Sequence, residues 1–582
     1  MRVLDSRRLT GPSLLLQQPG AIIDLALEGL DPDAVATAWR TALGRLMQWV
    51  GWSSPRIVTR SYTGGMSLAF EAPIDVLYAA TELNEAAIAA AARALGQLPL
   101  VIEDMPTDET FEMAAERLAK VIKLERKPWL PALAVAAAER NVTLLSDDTT
   151  VSIGLGRGSR AWPIDKAQAA TRLVPWGSMY DIRTALVTGT NGKTTSVRLL
   201  GAIAQAAGQV AGVSSTDAIS VDGEIIEKGD FSGPNGARTV LRDRRVQVAM
   251  LEVARGGILR RGLAVPRAQA ALVTNVAADH LGEYGVLDLA TMASVKLVVA
   301  RAVVMGGRVV LNADDPLLLE RGPKLASQVT WFTLDPAHAV LGEHLARGHE
   351  AVYLEGDALV FARGGERRAI ARIDEVPLLM GGAARHNIAN ALGVIGVAMA
   401  LNLPEEAIRR GLMAFDNSLA SNPGRANVWA LGGGTVIVDY AHNPHGLSAL
   451  AEMTKAMPAQ RRAIVIGQAG DRDDEAIREF ARTAWSTDPA RVFIKEMESF
   501  LRGREPGVVP GLLQSELLAL GADPASLSLH PTELDATRAA LQWMREGDLV
   551  LLTTHAQRDE VVALIERLKE ADWAAGQWLG GA

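Results

Sequence analysis

The 582-residue chain contains no cysteine, which excludes disulfide bonds, thiolate metal sites and cysteine nucleophiles. Aromatic residues make up only 5% of it, and its longest uncharged apolar run, at residues 391–403, is too short to span a bilayer and predicts a buried helix. A formal net charge of −8 gives no electrostatic reason to bind nucleic acid or an anionic membrane. The first residues lack a basic-then-apolar targeting pattern. We therefore expect a cytoplasmic protein, and one too long for a single core.

Apolar and helical segments alternate along the chain and predict three domains. Residues 1–165 mix strand-like pieces with amphipathic helices at 85–95 and 111–122, an α+β pattern in which we find no catalytic constellation. Packing, oligomerisation or acceptor binding is the expected role, and we expect a homo-oligomer. Residues 166–422 alternate buried strands with helices, which predicts a doubly wound, mostly parallel sheet. Residues 423–582 begin a new α/β series and predict a Rossmann-like domain.

A glycine-bearing turn joins a predicted strand to a predicted helix in the second of these domains. Backbone amides of such a turn, together with the positive end of the helix, form a cradle for phosphates. A lysine there can reach the outer phosphates, and a threonine hydroxyl can reach Mg²⁺. The alternative is an ordinary turn before a surface lysine. Val187 stands where most phosphate loops have a glycine, so the turn is a short variant. Its residues are Gly189, Thr190, Asn191, Gly192, Lys193, Thr194 and Thr195.

Polar residues also follow two further predicted strands of this domain. Glu252 ends one strand, and His280 comes shortly after another, beside an aspartate. Ligands of open α/β sheets bind at the carboxyl ends of the strands, so both residues are candidate cation ligands. Glu252 could also position water or cap its strand, and a lone histidine is more often a core residue. Lys296, on a predicted helix, would by itself be interpreted as a solvated lysine.

Three polar residues lie near or beyond the junction with the third domain. Asn387 opens a predicted helix and could bind the edge of a base. Asp439 follows a strand, where a carboxylate can hold ribose hydroxyls. Arg425 lies at the junction itself, where a guanidinium could close onto a transferring phosphoryl group.

Together these motifs resemble, in order and spacing, the Mur ligase superfamily across residues 185 to about 560. Within that superfamily the chain is most similar to the Mur ligase-like part of cyanophycin synthetases. Further segments that carry this likeness lie at residues 215–217, 227–230, 254–260, 275–282 and 311–316. Near the start of the chain, residues 1–4 and 8–12 weakly resemble the amino-terminal domain of the same enzymes.

The resemblance implies an ATP-dependent ligase that activates a carboxylate acceptor as an acyl phosphate and joins an amino acid to it. It implies ATP and Mg²⁺ as cofactors, with Lys193, Glu252, His280 and Arg425 as catalytic groups. ATP would be held by residues 189–195 with Asn387, Arg425 and Asp439. Metal contacts would come from Thr194, Glu252, His280 and a carbamylated Lys296. Substrate contacts would come from Thr216, Asp217, Arg255, His442, Asn443 and Arg502.

A departure from the cyanophycin synthetase pattern bears on the substrate. Only about 25 residues separate residue 160 from the first Mur-like strand, so the ATP-grasp domain that adds aspartate in those enzymes cannot fit there. One ligation site predicts one kind of bond, and arginine or another basic residue joined to an aspartyl carboxylate is the pair expected. Glu496 and Glu498 are predicted to face its side chain, although a solvated turn is the alternative. A non-catalytic ATP-binding scaffold and a generic P-loop NTPase remain open as other functions.

Overall fold

Two small antiparallel sheets organise the amino-terminal part of the chain. The computed structural model describes residues 1–53, 55–97, 100, 102 and 109–579. The elements here are β1 Arg2–Leu9, β2 Gly20–Ala26, α1 Pro32–Trp49, β3 Ile57–Tyr62, β4 Gly65–Glu71, α2 Leu77–Ala94, α3 Phe111–Glu125, α4 Trp129–Glu139, β5 Leu144–Ser146, β6 Thr150–Ile153, β7 Arg160–Pro163 and α5 Ile164–Ala170. The first sheet has the order β1-β2-β4-β3 and packs against α1 and α2; the second has the order β5-β6-β7. The two predicted amphipathic helices are confirmed as parts of α2 and α3.

An eleven-stranded sheet forms the centre of the protein. Its elements are β8 Arg183–Thr188, α6 Lys193–Ala206, β9 Ala211–Ser214, β10 Ala218–Val221, β11 Glu224–Lys228, α7 Pro234–Arg242, β12 Val248–Glu252, α8 Arg255–Arg261, β13 Ala268–Val273, α9 Leu289–Lys296, β14 Val303–Asn312, α10 Pro316–Arg321, β15 Val329–Thr333, α11 Ala339–Ala346, β16 Glu350–Glu355, β17 Ala358–Arg363, β18 Glu366–Arg372, α12 Arg385–Ala400 and α13 Glu405–Ala414. The order is β11-β10-β9-β12-β8-β13-β14-β15-β16-β17-β18.

The seven strands from β9 to β16 in that order are parallel to their neighbours, and antiparallel strands close both edges. Helices cover both faces, so the inner strands are buried on both sides and contain almost only apolar residues. Helix α12 is apolar on most of its surface and lies in this core, which confirms the predicted buried helix.

A third, six-stranded sheet forms the carboxyl-terminal part. Its elements are β19 Asn427–Leu431, β20 Gly434–Asp439, α14 Pro444–Ala456, β21 Arg462–Ile466, α15 Asp474–Trp485, β22 Arg491–Lys495, α16 Val508–Ala519, β23 Leu527–His530, α17 Glu533–Trp543, β24 Leu549–Thr553 and α18 Arg558–Glu570. The order is β19-β20-β24-β21-β22-β23, parallel except for the edge strand β19. The predicted fold class is therefore confirmed: an α+β amino-terminal part, a doubly wound central sheet and a Rossmann-like carboxyl-terminal sheet.

The carboxyl ends of the parallel strands in the two larger sheets border one cleft, in which the polar loops of both sheets meet. The domain borders at residues 165 and 422 stay a prediction. Among the helices of the described ranges, none combines the length and the apolarity needed to cross a membrane.

Candidate active site

The turn between β8 and α6 is shaped by two glycines that no other residue could replace without a clash. Gly189 has φ +148°, and a Cβ on it would lie 1.8 Å from Thr274 Oγ1. Gly192 has φ +87°, and its Cβ would lie 2.2 Å from Asn390 Oδ1. The amide of Asn191 donates to the Asn275 side chain at 3.0 Å, which fixes the turn against the loop after β13. The helix therefore begins at Lys193 with its first amides facing the cleft.

Lys193, Thr194 and Glu252 lie together at the base of the cleft. Lys193 Nζ donates to the carbonyl of Gly189 at 3.1 Å and to that of Thr190 at 2.9 Å. Thr194 Oγ1 donates to Glu252 Oε2 at 2.9 Å, and Thr216 Oγ1 donates to Glu252 Oε1 at 2.6 Å. Glu252 is buried, so these hydroxyls supply the hydrogen bonds that its carboxylate would otherwise accept from water. A hydroxyl and a carboxylate side by side are hard oxygen donors of the kind Mg²⁺ prefers.

A cavity of about 890 Å³ opens above this base and collects most of the predicted site. The predicted residues that line it are Gly189, Thr190, Asn191, Gly192, Lys193, Thr194, Thr195, Thr216, Glu252, Arg255, His280, Lys296, Arg425, His442 and Arg502. A second cavity, of about 410 Å³, adjoins it between α12 and the loop after β20. Its lining includes the two predicted base and ribose contacts, Asn387 and Asp439. Burial raises the pKa of Asp439, whose carboxylate accepts from the amide of Ala426 at 2.7 Å.

Arg425 reaches into the cleft from the carboxyl-terminal side. Its guanidinium lies 4.9 Å from the centre of the Tyr440 ring, and Nη2 is 3.4 Å from Thr194 Oγ1. The same arginine thus touches the phosphate loop of the central sheet while stacking on a residue of the carboxyl-terminal sheet.

His280 and Lys296 approach the same cavity from the other side. Burial lowers the pKa of His280, and the neighbouring cation of Arg472 adds to this effect. Lys296 ends α9 and is buried. Burial, together with the cations of Lys193 and Arg255, holds the pKa of Lys296 well below its usual range. No group of three or more His, Cys, Asp or Glu side chains placed to hold a metal ion occurs within the described residues.

Asp279 links the two sides of the cleft. Arg472 Nη2 lies 2.9 Å from Asp279 Oδ1, and His442 Nε2 lies 3.5 Å from Oδ2. Although burial opposes it, the contacts with His442, His280 and Arg472 hold the pKa of Asp279 below its usual range. Asn191 Nδ2 makes a second link, 3.1 Å from Asn443 Oδ1. Both links join a loop of the central sheet to a loop of the carboxyl-terminal sheet.

A buried ion pair supports the carboxyl-terminal wall of the cleft. Lys495 Nζ lies 2.5 Å from Glu533 Oε2, and both side chains are at most 1% exposed. Glu533 also accepts from the amides of His555 at 2.8 Å and Gln557 at 2.9 Å, so it orders the loop after β24. His555 lines the cavity and reaches the carbonyl of Ala441 at 2.9 Å.

Some predicted contacts lie elsewhere. Asp217 and Asn443 are not among the residues that line the two cavities. Asp217 pairs with Arg198 at 3.0 Å, and Asn443 caps α14. Glu496 and Glu498 are not among the residues that line the two cavities either, and their place facing the amino acid stays a prediction. The Glu496 carboxylate accepts from the backbone amides of Met497 and Gly507, because the turn there leaves these donors unpaired, and Glu498 is exposed.

Among the residues that line the cavity and that the sequence did not single out are Arg472 and His555. Both follow a parallel strand, β21 and β24 respectively, at its carboxyl end. The rule that had singled out Glu252 and Asp439 would have found His555 as well, since it lies two residues beyond its strand.

A phosphate loop that faces a second, Rossmann-like sheet across a cleft defines a nucleotide-binding protein built of two α/β units. Residues 187–398 match the Mur ligase middle domain, and residues 424–555 match the Mur ligase, glutamate ligase domain. The two matches together cover more than half of the chain, which belongs to the Mur ligase family.

Curated relatives align with about two thirds of this chain. The chain is 40% identical over 385 residues to a cyanophycin synthetase of Synechocystis sp., a match that covers 65% of this chain and 43% of the relative. It is 28% identical over 389 residues to a UDP-N-acetylmuramoyl-L-alanyl-D-glutamate–2,6-diaminopimelate ligase of Gloeobacter violaceus, covering 64% of this chain and 72% of the relative. The chain thus spans less than half the length of the cyanophycin synthetase.

Among solved structures, the chain is similar to the bifunctional folylpolyglutamate synthase/dihydrofolate synthase of Yersinia pestis, complexed with AMPPNP and a Mn ion. The TM-score is 0.49 at 21% identity, and the alignment covers 75% of this chain and 98% of that chain.

Proposed function

We propose that the protein is an ATP-dependent acid–amino acid ligase that forms ADP. One observation carries the proposal: the phosphate loop with Lys193 and the strand-end carboxylate Glu252 faces Arg425 and His442 across a single cavity of about 890 Å³. Such a ligase must hold a nucleotide, a carboxylate and an amine in line, and phosphoryl transfer needs positioning and charge neutralisation more than covalent help.

The residues at the base of the cavity suit a metal–nucleotide complex. Lys193 and the loop amides would hold the outer phosphates, while Thr194 and Glu252 would hold one Mg²⁺ through their adjacent oxygens. His280 and a carbamylated Lys296, as the resemblance implies, would hold a second. Bound Mg²⁺ would neutralise phosphate charge, so that two anionic reactants can approach each other.

The adjoining cavity suits the nucleoside. Asn387 is buried there, with its side chain fixed by Asn390 at 3.2 Å, and would read the base. Asp439 would hold the ribose, and Arg425 would contact the γ-phosphate. Arg425 already spans from Tyr440 to the phosphate loop, so it needs no large movement to do so.

The substrates are proposed as a carboxylate acceptor and an amino acid. Thr216, Arg255, His442 and Arg502 line the part of the cavity left for them, and Asp217 and Asn443 would act from behind this wall. The match with cyanophycin synthetases makes arginine joined to an aspartyl carboxylate the first pair to test. Glu496 and Glu498 do not line the cavities, which weakens one argument for a basic amino acid, so acidic and apolar ones belong in the same test.

The test is a screen of the twenty amino acids, each with short acidic peptides as acceptors, scored by ADP release and by the mass of the product. The expected result is ADP release that depends on one amino acid, with a product heavier by that residue. Phosphate release that no amino acid stimulates would instead favour a non-catalytic ATP-binding scaffold or regulator, or a plain NTPase. Formation of a copolymer of aspartate and arginine by the protein alone would contradict the single ligation site.

We also propose that the domains divide at residues 165 and 422 and that the protein assembles into a homo-oligomer. The amino-terminal domain would serve in packing, oligomerisation or acceptor binding. Light scattering of the purified protein, with and without an acidic peptide, tests the assembly.

A further inference from the structure

The loop that contains His280 adopts a backbone conformation of high free energy, which other parts of the protein must stabilise. His280 and Tyr284 have φ values of 51° and 53°, in the left-handed region that side chains with a Cβ rarely occupy. Gly282 and Gly285, at φ +101° and +64°, share that region. Residues of this kind persist only when the surrounding structure holds them in place.

The support comes from the first sheet of the amino-terminal part. Arg60, on β3, donates a hydrogen bond from Nη2 to the carbonyl of Gly285. The Tyr62 ring lies so close that a Cβ on Gly285 would be 2.4 Å from its Cε1. Arg7, on β1, places its guanidinium 4.7 Å from the centre of the Tyr284 ring.

Arg7 is itself fixed by the amino-terminal sheet and by the central one. Its Nη1 lies 2.6 Å from Asp24 Oδ2, and Asp24, which is 1% exposed, also accepts from Ser67 Oγ at 2.6 Å. The Arg7 Nε donates to the carbonyl of Leu259 in α8 at 2.9 Å. The amino-terminal sheet and the central domain are therefore joined through a buried ion pair and a charge-assisted hydrogen bond.

We infer that the amino-terminal sheet positions the metal-binding edge of the active site: Arg60, Tyr62 and Arg7 hold the loop 280–286 in the conformation that presents His280 to the cavity. These are positioning residues that act through the loop and do not touch the substrates. The inference rests on the proposed function in one respect, the role of His280 toward a cation. It gives the amino-terminal part a task within the ligase reaction, beyond packing, oligomerisation or acceptor binding.

The test uses the full chain with Arg60→Ala and Tyr62→Ala, and with Arg60→Lys as the conservative variant that keeps one donor. Arg40→Ala is the matched control, because Arg40 is exposed on the same domain and bonds Thr59 on the same strand without contacting the loop. Hydrogen exchange of the amides at 281–287 is measured without ligands. Mn²⁺ affinity is measured by electron paramagnetic resonance with a non-hydrolysable ATP analogue.

Loss of the Arg60 bond should accelerate exchange in the loop and weaken Mn²⁺ binding, each about tenfold, which is the factor for one hydrogen bond of roughly 1.4 kcal/mol from a side chain to a carbonyl. Nucleotide affinity without metal should change less than twofold, and Arg60→Lys should recover part of both losses. Gly285→Ala, which pushes on Tyr62 from the loop side, should have the same effect.

Exchange and Mn²⁺ affinity equal to those of the Arg40→Ala control would overturn the inference. So would faster exchange in a variant that still binds Mn²⁺ as the unmodified protein does, because loop order would then not position His280. If the unmodified protein bound no Mn²⁺ with nucleotide, the proposed function would fail, while faster exchange would still show that the amino-terminal sheet holds the loop.

Discussion

Removing the ammonium of Lys193 is the most direct perturbation of the proposed chemistry. Its Nζ lies 2.9 to 3.1 Å from two carbonyls of the phosphate loop, which fix the ammonium at the base of the cleft. Deleting one such preorganised donor typically costs about 2.7–4 kcal/mol of transition-state stabilisation, or about 10²–10³ in kcat. Lys193→Ala should therefore lose that factor in phosphate release at saturating ATP and amino acid.

The fold should survive this change, since the two lost hydrogen bonds contribute about 1–3 kcal/mol together. Lys324→Ala provides the control, because Lys324 is 68% exposed in the same unit and pairs with Glu320 at 3.1 Å. Its kcat should stay within a factor of two of the original. A Lys193→Ala protein that unfolds normally and releases phosphate at more than a third of the original rate would refute the assignment of the loop and, with it, the ligase.

Three further outcomes are expected. Glu252→Gln keeps the shape of the side chain but removes the charge and one of the two accepting oxygens, so phosphate release should fall about 10²-fold at fixed Mg²⁺; an unchanged Mg²⁺ titration would speak against a metal contact. Lys495→Met leaves the buried carboxylate of Glu533 without its counter-ion and should lower the free energy of unfolding in urea by about 3–5 kcal/mol. Adding Glu533→Gln to the same chain should recover part of this loss, and a loss below 1 kcal/mol would contradict the prediction. Burial and the nearby His445 lower the pKa of His386 to about 4, whereas the unfolded value is about 6.5, so its stabilising contribution is present above pH 6.5 and is lost as the pH falls toward 4. Between pH 8 and pH 5 the free energy of unfolding should therefore fall by about 2 kcal/mol less in His386→Gln than in the original protein. Equal decreases in the two proteins would contradict the lowered pKa of His386.

The strand-end rule accounts for most of what the sequence could predict about the cleft. Glu252 and Asp439 end apolar runs of strand length, so their place at the ligand edge of a sheet could be predicted from the sequence alone. Strand β1 could not be recognised in this way, because Arg2, Asp5 and Arg7 make it look like a polar segment. Its Arg7 is buried because it pairs with Asp24 on the neighbouring strand and donates to the carbonyl of Leu259 in the central domain, contacts that the residues around Arg7 in the sequence do not reveal.

The loop after β22 shows the opposite limit. Two glutamates in a predicted substrate loop suggested a cation-binding surface, yet one of them caps backbone amides of its own turn. Local hydrogen bonding of this kind competes with ligand binding, and charge in the sequence does not reveal which of the two prevails.

Opening the cleft requires free energy, because the contacts of Asp279 across it must be broken. Asp279 is shared between Arg472 and His442, both contributed by the opposite sheet, so the two sides cannot part without separating this carboxylate from both partners. Reactants must enter and the product must leave through the same cleft, and each catalytic cycle would then include that separation. We expect the maximal rate of such an enzyme to be governed by how fast the halves part, and a weakened pairing at Asp279 to speed release at the expense of retaining reactants.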